Sequence, residues 1–499
     1  MLHSKKTDMK KTRLILLPAI ALLSAGLAIG CDDDFLDKKP LGSAVDGELP
    51  VGGFEAQAFG LYGRIRTADG IATWNRYWFQ SIRSDDAAKG STVTDAASFG
   101  TIFDSYQYTA AEAFAGANWD GHYRLIYDCN NLIADVDDSG TTEAATLINR
   151  AEATVLRAWA YFELRRDYGE VPLILNRISN PSDAIAPKNT IAEIDAQIIE
   201  DLNYAAERLP TSWPGQLGRA TKGFAKTLLG KLYLYQQNYP QALNELQEVM
   251  TYGYSLYPSY SGLFLQEGDN SAESIFEVQF TRIGTVNYSN NYWESQGVRG
   301  TSTWDLGWGF NVPTQALVDA YEAGDPRRTA TVLYSGGEDG YGLVVPQAPP
   351  LAQPYWNKKA YTKPIERTTY GENKNHWANI KLIRYADVLL MAAEAANESG
   401  QTGIAVGYIN EIRARARAGN AAVLPDITST DQGTVRAAIK QERRIEFAME
   451  GERFYDLVRW GDATSVLGGL GYQHKNRFYP IPQTAIDQFG GILVQNPDY

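Results

Sequence analysis

The sequence predicts a mainly α fold: a tetratricopeptide-like helical repeat scaffold that carries large, irregular, loop-rich insertions and a few short strands. Two observations predict the scaffold and a third predicts the insertions. Ala220 to Gly253 places small and large apolar residues in the register of a helix-turn-helix repeat of about 34 residues. Ile380 to Ala418 repeats that spacing. Between residues 251 and 378 the periodicity fades and Gly, Tyr, Asn, Ser, Trp and Pro take over.

In the first repeat, Leu229-Gly230 is followed by Tyr233, Tyr239, Ala242, Leu246 and Val249. Gly230 and Ala242 are small enough to let two helices close, and Tyr233 and Leu246 fill between them. Asn238-Tyr239-Pro240 supplies the turn, since proline is tolerated in the first turn of the next helix. In the second repeat Ala393, Ala396, Ala405, Ile409 and Ile412 take comparable positions around a Ser399-Gly400 turn. A weaker unit starts at Ala151, with a stripe of Val155, Ala158, Trp159 and Phe162 that ends at Gly169, before Pro172. Ile191 to Leu209 is amphipathic, with Ile194, Ile198, Leu202, Ala205 and Leu209 at helical period. Stacked helix pairs bury a continuous apolar face that no single pair can bury alone.

The remaining segments read differently. Ser274 to Thr281 alternates apolar and polar residues through Ile275, Phe276, Val278 and Phe280, the pattern of a short strand. Residues 50–120 read as one helix near Gly53 to Arg66 followed mostly by loop. The expected organisation is a leader over residues 1–30 and one domain over residues 31–499. Within it, helical repeats occupy about 151–253 and 379–461, and loop-rich ligand-binding regions occupy about 50–120 and 254–378. Binding residues favour loops held by a rigid scaffold.

The first thirty residues set the compartment. Lys5, Lys6, Lys10, Lys11 and Arg13 form a basic start, Leu14 to Ala28 an apolar stretch, and Leu27-Ala28-Ile29-Gly30 leads into Cys31. That is the order of a secretory leader, and the apolar stretch is short of the roughly 20 residues a spanning helix needs. A cysteine at the cut marks a lipobox, which makes Cys31 the lipidation site. The other cysteine, Cys129, lies in an apolar helical segment and suits a small buried hydrophobe.

Charge and motifs exclude several classes. A net charge of −13 argues against nucleic acid or an anionic lipid surface as partner. The 30 Tyr and 11 Trp supply flat apolar faces with a polar handle, suited to amphipathic ligands such as sugars. His3, His122, His376 and His474 are far apart, and no His or Cys pair has metal-ligand spacing. The chain has no Gly-x-Ser-x-Gly elbow, phosphate loop or dinucleotide fingerprint. Carboxylates are plentiful, but nothing in the sequence pairs two of them as a glycosidase requires. The expectation is a binding protein with no catalytic residue, metal or cofactor.

Several passages resemble the SusD/RagB family. The most specific is Arg443-Arg444-Ile445-Glu446-Phe447-Ala448-Met449-Glu450-Gly451-Glu452-Arg453-Phe454-Tyr455-Asp456-Leu457-Val458-Arg459-Trp460-Gly461. Phe478-Tyr479-Pro480-Ile481-Pro482 and Gln495-Asn496-Pro497-Asp498-Tyr499 are similar to the family's closing segments. Ala151 to Leu175, Gly309-Phe310-Asn311-Val312-Pro313-Thr314 and Asp33-Asp34-Phe35-Leu36-Asp37 also fit, in the family's order. The resemblance implies a SusD-like fold and a lipoprotein anchored in the outer membrane. Such a protein captures oligosaccharides or polysaccharides and delivers them to a SusC-like, TonB-dependent transporter. It also implies that Asp32, Asp33 and Asp34, just after the anchor, direct the chain to the cell exterior. The repeats alone would equally serve an adaptor lipoprotein with a protein partner. Read physically, Arg443, Arg444, Glu446, Glu450, Arg453 and Asp456 form a structural ion-pair network, since arginine makes fork-shaped bonds to carboxylates.

Sugars are recognised by stacking on aromatic planes while nearby polar groups bond the hydroxyls. Four loop clusters present such residues: Trp74, Tyr77 and Trp78 ahead of Asp85; Tyr288, Tyr292, Trp293 and Glu294; Trp304 and Trp308; and Trp356. Trp304 and Trp293 stand out, because their Gly and Ser neighbours cannot bury them locally. Asp85 and Asp86 are equally suited to cap a helix or hold a turn. Some starch-binding members of the family carry tryptophans just after that acidic pair. Here Ala87-Ala88-Lys89-Gly90-Ser91 follows it, which argues against a starch-type arc.

Overall fold

Apolar residues at helical period fold into a run of helices that stack in chain order. The computed structural model describes residues 53–68, 71–97, 100–374 and 376–499. The leader, Cys31 and Asp32 to Asp34 lie outside the described residues. Helices α1 (Phe54–Thr67) and α2 (Asn75–Gln80) precede the stack, which comprises α3 (Ala113–Asp138), α4 (Ala144–Tyr168), α5 (Ile191–Arg208), α6 (Lys222–Tyr235), α7 (Tyr239–Val249), α8 (Tyr385–Glu398) and α9 (Thr402–Ala416). Each packs on the next, and α10 (Gln432–Glu446) lies against α8 and α9. The short α11 (Arg453–Trp460) packs near α2. The fold is mainly α, as the repeat patterns predict. No helix among the described residues is long and apolar enough to cross a membrane.

Local chemistry explains the boundaries. Thr190 and Glu193 form a reciprocal capping box at the start of α5. Asn238 and Pro240 separate α6 from α7, and Gly400, with φ of 78°, turns α8 into α9. Cys129 is buried and unbonded to another cysteine in the middle of α3. The α6–α7 contact depends on Gly230, where an added Cβ would sit 2.7 Å from Leu246 Cγ. Leu246 is fully buried and cannot withdraw. Gly230→Ala should therefore destabilise by about 1 kcal/mol net, because overpacking outweighs the gain in helix propensity. A lowered urea midpoint would show it, and a raised one would mean that the two helices separate freely.

The stack opens once, between α7 and α8. Ile380–Arg384, read from sequence as the start of the second repeat, is instead a strand, β6, that runs directly into α8. It pairs antiparallel with β2 (Ser274–Val278), Ser274 facing Arg384 and Val278 facing Ile380. Residues 279–379 thus leave and return through one neck. Inside this insertion β4 (Val332–Tyr334) pairs with β5 (Tyr355–Asn357). The ladder between β1 (Ala87–Gly90) and β3 (Phe310–Pro313) joins the insertion to the segment before α3. The two loop-rich regions are therefore one layer on the helical frame.

Buried ion pairs fix this layer. Arg384 bonds Glu273 at 2.8 Å, Glu446 at 2.6 Å and Glu450 at 2.9 Å. Arg443 bonds Asp387 and Asp456, both at 2.8 Å. Arg444 reaches Asp86 at 2.6 Å and Asp85 at 2.9 Å, and Arg453 reaches Asp85 at 2.9 Å. Asp85, considered from sequence as a ligand contact, is held by α10 and α11. Gly451 turns the chain between those helices at φ of 88°, with its Cα side facing Gln80 so closely that a Cβ would meet that side chain at 2.8 Å.

Candidate functional site

The site is built on an irregular hairpin from Glu294 to Trp308. Leu306 N–H donates to Val298 O at 3.0 Å and Trp308 N–H donates to Glu294 O at 3.0 Å. Gly297 and Gly307 back onto each other, and a Cβ on Gly307 would collide with Glu294 O. Glycine is needed there for close backbone approach. The hairpin carries Trp308 at its base and Trp304 near its tip.

Trp308 is half-buried and stands edge-to-face with half-buried Trp74, centroids 5.4 Å apart. Trp74 makes a similar contact with Phe114 of α3 at 5.1 Å, and its backbone N–H donates to Asn291 Oδ1 at 3.2 Å. Trp308 Nε1–H donates to Glu294 Oε1 at 3.2 Å. Burial raises the Glu294 pKa above its ordinary value, only partly offset by the Trp308 indole and Lys374. Lys374 itself pairs with Asp305 at 2.9 Å, and Arg299 pairs with Asp95 at 3.3 Å. Flat aromatic edges, one carboxylate and two ion pairs thus share one patch.

Trp304 is half-buried on a single 3₁₀ turn, its ring near-parallel to Tyr361 at 6.3 Å. Tyr361 lies near-parallel to exposed Tyr341 at 6.2 Å, and its hydroxyl donates to Asp339 Oδ2 at 2.7 Å.

Five other aromatic candidates lie inside. Tyr77, Trp78 and Trp356 are fully buried, and Tyr292 and Trp293 are buried as well. Trp356 Nε1–H donates to Ser335 Oγ at 2.9 Å. The exposure expected for Trp293 is not found: its Nε1–H donates to Ala378 O at 2.8 Å and its ring packs on His376 at 5.2 Å. Those covering groups come from the far end of the insertion, which flanking Gly and Ser residues cannot reveal. The structure brings Trp74 and Trp308 together over Trp78, with Trp304 at the other end of the same hairpin. Glu294 comes from the second sequence cluster, while Phe114, Tyr341 and Tyr361 are additions that no sequence signal marked. No group of His, Cys, Asp and Glu among the described residues is placed to hold a metal ion.

Known proteins share this architecture. The SusD family profile matches residues 272–477, and a profile described as "Starch-binding associating with outer membrane" matches residues 34–234. A solved laminarin binding SusD-like protein is 30% identical with a TM-score of 0.74, the alignment covering 89% of this chain and 99% of that one. This chain belongs to the SusD family. SusD-like protein P2 of Formosa agariphila is 28% identical over 98% of this chain and 100% of its own length. The starch-binding protein SusD of Bacteroides thetaiotaomicron is 26% identical over 76% of this chain and 78% of its own. Within the SusD family frame, the Arg443–Gly461 signature is the segment that ties α10 and α11 to the loop layer.

Proposed function

We propose that this SusD-family chain is a cell-surface lipoprotein that captures a glycan on the Trp74–Trp308–Glu294 patch and passes it to a SusC-like, TonB-dependent transporter. The observation that carries the reading is the half-buried tryptophan pair with a carboxylate acceptor beside it, held on a glycine-pinned hairpin. Stacking faces next to hydroxyl-bonding groups are what an uncharged sugar chain requires. Lipid on Cys31 anchors the chain in the outer membrane, facing the exterior. The carboxylates of the patch, Glu294 and Asp305, are engaged with Trp308 and Lys374, which suits binding rather than acid–base catalysis.

Two relatives with ligand-bearing descriptions bind laminarin and starch. In this chain Ala87–Gly90 forms β1 and carries no ring, which favours a β-glucan over starch. Calorimetric titration of the mature chain with soluble β-1,3-glucan, maltooligosaccharides and a broad glycan array tests the reading. Saturable binding to the β-1,3-glucan, with a change in tryptophan fluorescence, is the expected result. A blank array with a folded protein would remove it.

A further inference from the structure

A groove of about 700 Å³ runs along α3, the helix whose Phe114 supports the aromatic patch, and is lined by groups of a different kind. That volume lies in the range of ligand sites. One wall is the first half of α3, where Ala113, Gly116, Ala117, Asp120 and Arg124 fall at helical spacing on one face. The other wall is Gln483, Thr484 and Asp487, and the end of α1 closes the groove at Thr67. No aromatic ring lines it. Phe114, next to the groove residue Ala113 on α3, contacts Trp74 at 5.1 Å, so the same turn of α3 serves the groove wall and the tryptophan patch.

We propose that this groove is an extension subsite, in which further sugar units of a chain seated on Trp74 and Trp308 are held by hydrogen bonds instead of stacking. The small residues on α3 let a pyranose ring approach the helix closely. Asp120, Arg124, Gln483, Thr484 and Asp487 supply exposed acceptors and donors along the groove. From Ala113 to Arg124 the helix runs about 16 Å, room for several sugar units in line. A ligand longer than the tryptophan patch would fill both. The inference rests on the glycan reading above and adds that affinity grows with chain length.

Gly116 gives a clean test. A Cβ there would meet only Thr484 Oγ1, at 4.0 Å, and Gly116 lines the groove, so a larger side chain extends into the groove space. Leucine is also the better helix former, and Gly116→Leu should keep the fold. The probe is a series of β-1,3-glucan oligosaccharides from short to long, titrated calorimetrically into the mature chain. The native protein should bind long members more tightly than short ones. Gly116→Leu should lose about tenfold for the long members, the scale of one hydrogen bond to a charged group, and bind the short ones as before. Asp120→Ala should lose long-chain affinity in the same direction. If both variants bind every length as the native protein does, the groove is overturned and the tryptophan patch stands. If the native protein binds no length, the glycan reading falls and takes the groove with it.

Discussion

Arg384→Ala should lower the stability of the chain by about 3–5 kcal/mol, the scale of removing one partner from a buried ion pair. Arg384 closes the neck of the insertion: it ends β6 and precedes α8. Its guanidinium is buried, and Nη2–H also donates to Glu446 O at 2.8 Å. Removing it strands Glu273, Glu446 and Glu450 away from water, with Arg415, Arg327 and Lys359 left to share them. Arg384→Lys should recover only part of the loss, since a point charge cannot fork to three carboxylates. Urea midpoints measure both, and a loss below about 1 kcal/mol for the alanine variant would mean that the ring of charges does not hold the neck.

The same cluster sets an acid limit. Burial alone would raise the Glu446 pKa, but Arg415, Arg384 and Arg327 outweigh it and hold the carboxyl well below its ordinary 4.5. A depressed folded value means that the unfolded chain takes up the proton first as pH falls. The contribution of Glu446 is complete above pH 4.5 and is lost progressively as pH drops below it toward the depressed value.

The helical scaffold was legible because its information is local. Leu229-Gly230, Ala242 and Leu246 meet across one turn, so their spacing alone describes their contact. The ionic character of Arg443 to Asp456 was legible too, but the partners were not: Asp85 and Asp86 lie some three hundred and sixty positions from Arg444. The strand character of Ile380–Arg384 was masked by the helix it runs into, since Ile380, Leu382 and Ile383 do not alternate strictly and such a short run ahead of an apolar helix fits either period. At the site, aromatic identity was visible and exposure was not. Trp293 and Trp304 both sit among Gly and Ser neighbours, yet of the two only Trp293 is buried, by residues that return through the β2–β6 neck. Gly116 carried no signal at all, because an open groove is a property of two walls distant in sequence.

Trp308→Ala should weaken glycan binding by about 2 kcal/mol or more, roughly thirtyfold, the loss typical of a central aromatic anchor. The ring is half-buried and meets Trp74 edge-on, so its removal takes away one stacking face and frees the other. It also leaves Glu294 without the indole N–H that positions Oε1. The fold should survive, because the residues beneath the patch, Trp78 and Phe310, pack on each other at 5.4 Å without it. Trp356→Ala is the informative contrast: that ring is fully buried, and its truncation should cost about 3–5 kcal/mol of stability. A binding loss there would track unfolding, whereas at Trp308 it should appear with a nearly unchanged urea midpoint. Glu294→Gln separates the two halves of the patch. It keeps the side-chain shape and an acceptor for the indole but removes the charge, so stacking survives while the stronger hydroxyl bonds of a carboxylate are lost. A several-fold loss for Glu294→Gln beside a much larger one for Trp308→Ala is the expected order. Native affinity in a folded Trp308→Ala variant would move the glycan off this hairpin altogether.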